Sequence, residues 1–152
     1  MSTAAPYVAV CGPGEATDEE LACAEAVGAG LARAGAVVVC GGLGGVMEAA
    51  SRGAAREGGM VVGLLPGADR GAGNPFLTVA IPTGMGELRN GLVVRAADAV
   101  IAVGGAYGTL SEIALALKTG TPVFAVGSWD LPDVVSVGSA GEAVERALAA
   151  VA

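Results

Sequence analysis

The sequence predicts an α/β fold: a doubly wound parallel sheet of about six or seven strands with helices on both faces, built as one domain over residues 1–152. Short apolar runs such as Val37–Cys40 and Ala99–Val103 alternate with longer segments of helical period. Those runs are apolar at consecutive positions, as strands covered on both faces must be. Three glycine clusters directly follow such runs and directly precede helical segments, the arrangement of strand-to-helix loops on the carboxyl edge of a parallel sheet.

Each element has its own signal. Tyr7–Cys11 is the first expected strand, and Thr17 with Glu20 stands at capping-box spacing to open a helix reaching about residue 34. Val37–Cys40 is the second strand. After the glycines of 41–45, a helix is expected over 46–57, stopped by Gly58 and Gly59. A strand at 60–64 leads through a Pro- and Gly-rich loop, 66–75, to a short strand at 77–81. Residues 86–97 read as the next helix, Ala99–Val103 as a strand, 104–108 as a loop and 109–119 as a helix ended by Gly120. Val123–Val126 and a short run at 134–137 complete the strands, and Ser139 with Glu142 caps a final helix.

Composition excludes several chemistries. With no histidine, the chain has no Ser-His-Asp or Cys-His relay, no His-ligated zinc and no imidazole base, so catalysis falls to carboxylates, arginine or backbone N–H groups. A net charge of −7 and 3 % aromatics argue against a surface that tracks nucleic acid or stacks bases. The longest uncharged stretch, 71–86, is broken by Pro75, Pro82 and several glycines and is not a membrane span. Cys11, Cys23 and Cys40 are odd in number and lack CxxC spacing, so they read as buried thiols of a cytoplasmic protein, with no metal site expected.

The chain carries 26 glycines in 152 residues, against about 7 % usually. Gly12 and Gly14 follow the first strand, 41–45 the second, and 104–108 the fifth. Glycine there serves tight turning, and it also lets backbone N–H groups approach a phosphate at a helix N-terminus. Three loops together favour an anion cradle. It is not a dinucleotide site, because Cys40 and Gly41 stand where the ribose-binding acid belongs. Nor is it a P-loop or a pyridoxal site: the single lysine, Lys118, lies roughly 13 Å down its helix from Thr109. No cofactor is expected.

Two segments carry candidate chemistry, Glu87-Leu88-Arg89-Asn90 and the run from Gly104 through Tyr107, Gly108 and Thr109 to Glu112. The second resembles the PGGxGTxxE motif of the Lonely Guy family of cytokinin-activating phosphoribohydrolases, also labelled "possible lysine decarboxylase". The first resembles that family's Glu-x-Arg-Asn or Glu-Arg-Lys element, and the run from Gly41 to Glu48 its earlier glycine-rich turn. The resemblance spans about residues 8–126. Gly-Gly-x-Gly-Gly-Val-Met-Glu and Arg-Asn look nearest to a bacterial branch that includes molybdenum-cofactor carrier proteins.

The resemblance implies a Rossmann-like fold, a homodimer or homotetramer, and hydrolysis of an AMP-like nucleoside 5′-monophosphate to free base and ribose 5-phosphate, not lysine decarboxylation. On that reading Glu112 is the carboxylate that stabilises an oxocarbenium-like transition state or activates water. Arg89 orients the nucleotide or assists the leaving base, with Asn90 beside it. Gly105, Gly108 and Thr109 hold the phosphate at a helix N-terminus, with Gly12 nearby, while Gly42, Gly44 and Glu48 line the ribose or base side. The alternative is a non-catalytic nucleotide or molybdenum-cofactor binder or carrier, whose partner is a phosphorylated small molecule such as molybdopterin. A third reading is an assembly module using 91–97 and the apolar last helix as an interface.

Bland rivals accompany these roles. Thr109 and Glu112 have capping-box spacing by themselves, Arg89 has the alternative of a solvated charge, and Glu48 suits a first helical turn structurally. Three positions depart from the enzymatic pattern. Gly104 replaces proline, Ala106 replaces glycine, with strain of about 1–2 kcal/mol if Ala106 takes positive φ, and Asn90 replaces lysine.

Overall fold

The computed structural model describes residues 4–152. Seven strands form one wholly parallel sheet: β1 (Tyr7–Cys11), β2 (Val37–Cys40), β3 (Val61–Leu65), β4 (Val79–Pro82), β5 (Ala99–Val103), β6 (Val123–Val126) and β7 (Val135–Ser136). Their order is β4-β3-β2-β1-β5-β6-β7. The chain winds outward from β1 in one direction and from β5 in the other, so the loops after these two neighbours diverge and leave a crevice. Register fixes the depth of that crevice: Val10 pairs with Ile101 and Cys11 with Ala102, so Gly12 and Val103 follow side by side at the edge.

Five α-helices cover the sheet: α1 (Asp18–Arg33), α2 (Val46–Arg56), α3 (Asn90–Arg95), α4 (Tyr107–Thr119) and α5 (Ala140–Val151). One core, with Val8, Val10, Val38 and Ile101 pointing down from the strands, is closed by Leu31 of α1, Ala50 of α2 and Ala143 of α5. The other, from Ala9, Val39, Val100 and Ala102, is closed by Val93 of α3 and Ile113 of α4. All of β1 beyond Tyr7, and all of β2 and β5, are buried, which is why those strands read as unbroken apolar runs.

The capping residues act as their spacing suggests. Thr17 accepts from the Glu20 N–H at 3.1 Å while Glu20 reaches back to the Thr17 N–H, and Ser139 accepts from the Glu142 N–H. The expected helix over 86–97 divides instead, into a 3₁₀ turn at Gly86–Arg89 and the six-residue α3. α4 begins two residues before Thr109, with Ala106 as N-cap. The last helix is no free apolar face: Ala143, Val144 and Ala147 are buried, and the helix lies on α1, β5 and β6.

α1 and α2 touch through backbone. A Cβ at Gly28 would stand 2.0 Å from the Ala50 carbonyl oxygen, and one at Gly53 would stand 2.0 Å from that of Glu25. Gly28→Ala must force the helices apart and is expected to cost about 1–3 kcal/mol. Gly141→Ala, at an open position in α5, is expected to stabilise by up to about 1 kcal/mol through helix propensity. Urea unfolding of the two variants measures these opposite signs.

Candidate functional site

The crevice between the diverging loops holds a cleft of about 200 Å³. Gly12, Pro13 and Gly14 form its β1 side, Gly41 and Met47 its β2 side, and Arg89 with Asn90 one wall. Ala106, Gly108, Thr109 and Glu112 of the α4 N-terminus form the other. Its walls approach closely because glycines let them. A Cβ at Gly12 would lie 2.4 Å from the Val103 carbonyl oxygen and 2.5 Å from Val46 Cγ1, and one at Gly41 would lie 2.6 Å from Arg89 Nη2.

α4 has no side-chain cap. The first-turn N–H groups of Tyr107, Gly108 and Thr109 lack intrahelical partners, and the helix dipole makes this end positive. Thr109 is 2 % exposed, and its Oγ1 is buried without a hydrogen-bond partner among the described residues. An orphaned buried hydroxyl costs about 1–3 kcal/mol, so its place in the cleft wall is informative. Since Thr109 is the third helical residue and not the N-cap, the Thr109–Glu112 capping box does not form. The spacing was right, but the helix starts a half-turn early.

Glu112 instead turns inward. It is 8 % exposed, and Oε2 accepts a hydrogen bond from Cys11 Sγ at 3.2 Å. Burial pushes its carboxyl up to about 7, against the opposing pulls of the Cys11 thiol and the Arg89 guanidinium. Burial and then the neighbouring Glu112 push the Cys11 thiol well above its ordinary value, so it is no nucleophile at neutral pH.

Arg89 is no solvated charge either. Its Nε donates to the Leu64 carbonyl oxygen at 2.8 Å, Nη2 to that of Gly41 at 3.3 Å, and Nη1 to Asn90 Oδ1. Three of five N–H groups are spent on orientation, leaving one on each terminal nitrogen. Asn90 Nδ2 in turn donates to Ser111 Oγ at 3.1 Å, which donates to the Gly108 carbonyl oxygen at 2.6 Å. A hydrogen-bonded chain thus ties Arg89 to the start of α4.

The tertiary structure therefore brings Gly12, Arg89, Asn90, Gly108, Thr109 and Glu112 together, and leaves four other sequence candidates outside the cleft. Gly105 faces the far side of its loop, against Trp129. Gly42 is buried toward Leu65 with φ +79°, and its carbonyl oxygen accepts from the Asn74 N–H. Gly44 is exposed, and Glu48 sits half-buried in the first turn of α2. Cys11, Gly41 and Met47 escaped the sequence reading as site residues. The available signal for Cys11 was its position as the last residue of a central strand.

The departures from the enzymatic motif have structural answers. Ala106 is extended, at φ −133°, and carries no strain. Gly104 takes φ +72°, which proline cannot adopt, and a Cβ there would meet Glu20 Oε2 at 1.8 Å. A larger cavity of about 380 Å³ beyond this loop carries Glu19 and Glu20 and no basic side chain, which suits no phosphate. A groove of about 500 Å³ adjoins the cleft through Arg89, Asn90 and Gly108. Among the described residues, no helix is long and apolar enough to cross a membrane.

Comparison with known proteins identifies the family and relatives of the same fold. The family model of SLOG cluster4 matches residues 5–150. An uncharacterized protein of Archaeoglobus fulgidus is 47 % identical over 116 residues, 76 % of either chain. The molybdenum cofactor binding protein of Rippkaea orientalis superposes with a TM-score of 0.94 at 36 % identity, over 99 % of this chain and 100 % of that one. The molybdenum cofactor carrier protein of Chlamydomonas reinhardtii superposes with a TM-score of 0.84 at 29 % identity, over 96 % and 99 %.

The raised Glu112 carboxyl has a consequence for stability. Its folded value lies above the ordinary value of 4.5, so the folded state holds the proton more tightly and stability falls as pH rises from about 4.5 through about 7. Between pH 5 and pH 8 the loss attributable to this group is about 2–3 kcal/mol. Glu112→Gln is expected to lack that part of the loss, as read from urea unfolding at the two pH values.

Proposed function

The chain belongs to the SLOG cluster4 family, and we propose that its cleft binds a phosphorylated small molecule of molybdopterin type and holds it without turnover. The observation that carries this reading is the buried, unpartnered Thr109 hydroxyl beside the open first-turn N–H groups of α4. A phosphate supplies acceptors to the N–H groups, and to the hydroxyl once the Thr109 side chain, sealed from solvent as it stands, turns toward the cleft. The remaining N–H groups of Arg89 offer charge-assisted bonds from the opposite wall. A cleft of about 200 Å³ takes the phosphate and the atoms next to it, and the rest of the ligand extends into the groove that shares Arg89, Asn90 and Gly108.

Two further points favour a binder. The Rippkaea and Chlamydomonas proteins are described as binding or carrying the molybdenum cofactor, and each is covered almost end to end. Gly104 gives the phosphate loop a backbone that the proline of the enzymatic motif cannot take. The molybdenum cofactor here is cargo, not a resident catalytic group.

A second reading keeps the phosphoribohydrolase. It rests on Glu112, whose carboxyl near 7 suits proton transfer around neutrality, in the same cleft as Arg89. Incubation with AMP, CMP, GMP and UMP separates the two. Stoichiometric binding of molybdopterin with no release of free base supports the binder, whereas free base that disappears in Glu112→Gln supports the hydrolase. A protein that neither binds phosphorylated pterins or nucleotides nor cleaves the latter refutes both.

We further propose that a second copy of this chain covers the groove, giving a homodimer or a homotetramer built from it. Among the described residues, α3 and α4 are the helices that close this side of the sheet. Leu88 and Tyr107, which line the groove with Leu115, are 76 % and 84 % exposed. One two-fold axis across this apolar patch makes it self-complementary.

Thr109→Val is expected to keep or raise the melting temperature, because it removes an orphaned buried hydroxyl. Its affinity for AMP is expected to fall about tenfold in calorimetric titration. Leu88→Glu is expected to leave the fold intact by circular dichroism and to yield monomers in sedimentation; an unchanged oligomer counts against this interface.

A further inference from the structure

Cys11 is buried at the end of β1, 1 % exposed, and among the described residues it forms no disulfide. Its thiol reaches across the switch point to a residue 101 positions away and donates to Glu112 Oε2 at 3.2 Å. That is the hydrogen bond holding the carboxyl. That bond engages Oε2, and Glu112 is one of the residues that line the cleft.

We propose that Cys11 is the positioning residue of the cleft: its thiol fixes the Glu112 carboxyl so that Oε1 is presented to the bound ligand. This rests on the reading of the cleft as a phosphate site. The choice of sulfur has a physical reason. A thiol is a weak donor, so it sets the side chain's orientation while pulling less on its proton affinity than a hydroxyl would. A hydroxyl at the same place binds the carboxylate form more strongly and drives it toward ionisation. Ionised Glu112 beside a phosphate on the α4 N-terminus sets like charges together, whereas the neutral acid donates to a phosphate oxygen. The thiol therefore orients the acid without forcing it to ionise.

The ionisable groups facing Glu112 are Cys11 from β1, Arg89 from the turn before α3, and Cys40 from β2 at longer range. Arg89 is tied to backbone carbonyls and Cys40 engages Ser51 Oγ at 3.6 Å, so a change at Cys11 is the cleanest way to move Glu112 alone.

The test uses Cys11→Ser and Cys11→Ala in the intact chain. The Glu112 carboxyl is followed by carbon-13 chemical shift against pH, and affinity for inorganic phosphate and for AMP is measured over the same range. Cys11→Ser, which keeps a donor, is expected to lower the Glu112 midpoint by about half to one unit, and Cys11→Ala to raise it by a similar amount. The pH at which phosphate affinity falls should move with each midpoint. A residue that only fills space changes melting temperature or overall affinity and leaves both midpoints at the wild-type value. That result overturns the proposal, and so does a pair of variants shifted in the same direction. Should Cys11→Ala fail to fold, the sign of the Cys11→Ser shift decides. If the wild-type protein binds neither phosphate nor AMP, the phosphate reading of the cleft fails separately, and the Glu112 titration still settles whether Cys11 holds the carboxyl.

Discussion

The carboxyl edge of this sheet depends on one steric constraint: how closely the loop after β1 can lie against β5 and α2. At Gly12 there is no room for a single methyl group, since a Cβ would overlap both the Val103 carbonyl oxygen and Val46. That approach draws the three post-strand loops around one cleft. It also sets Cys11, the residue just before Gly12, within reach of Glu112 on a helix far away in sequence. Relaxing this contact would remove the cleft as well as a packing interaction, because the walls are backbone and not adjustable side chains.

Within this frame the electrostatics favour an anion despite a net charge of −7. Attraction is local. It comes from the uncapped start of α4, the orphaned Thr109 hydroxyl and a guanidinium whose direction is set by two backbone carbonyls and Asn90. Among the described residues, the one carboxyl lining the cleft is Glu112, which burial pushes up to about 7, so it opposes a phosphate less than an exposed glutamate would. The acidic surplus elsewhere serves solubility and discourages polyanions.

Much of the fold was legible because its signals are local. Unbroken apolar runs marked β1, β2 and β5, and Thr17-Glu20 and Ser139-Glu142 marked two helix starts, since capping is decided within four residues. The same local logic misplaced the start of α4 at Thr109, because the spacing to Glu112 matches a capping box whichever residue begins the helix. It also merged Gly86–Arg89 with α3, since a 3₁₀ turn and an α-helix share apolar spacing over so short a span.

The candidate site divides along the same line. Sequence alone determined the α/β class, the three glycine loops at one sheet edge, the absence of imidazole chemistry and the residue types Arg89, Asn90, Thr109 and Glu112 as candidates, because these follow from composition, periodicity and motif. Only the tertiary structure decided that Glu112 turns inward to Cys11 instead of capping its helix, that Arg89 is locked to backbone, and that Gly42, Gly44, Glu48 and Gly105 lie outside the cleft. Which way a side chain turns is settled by neighbours up to a hundred residues distant, and those contacts exist only once β1 and β5 lie side by side.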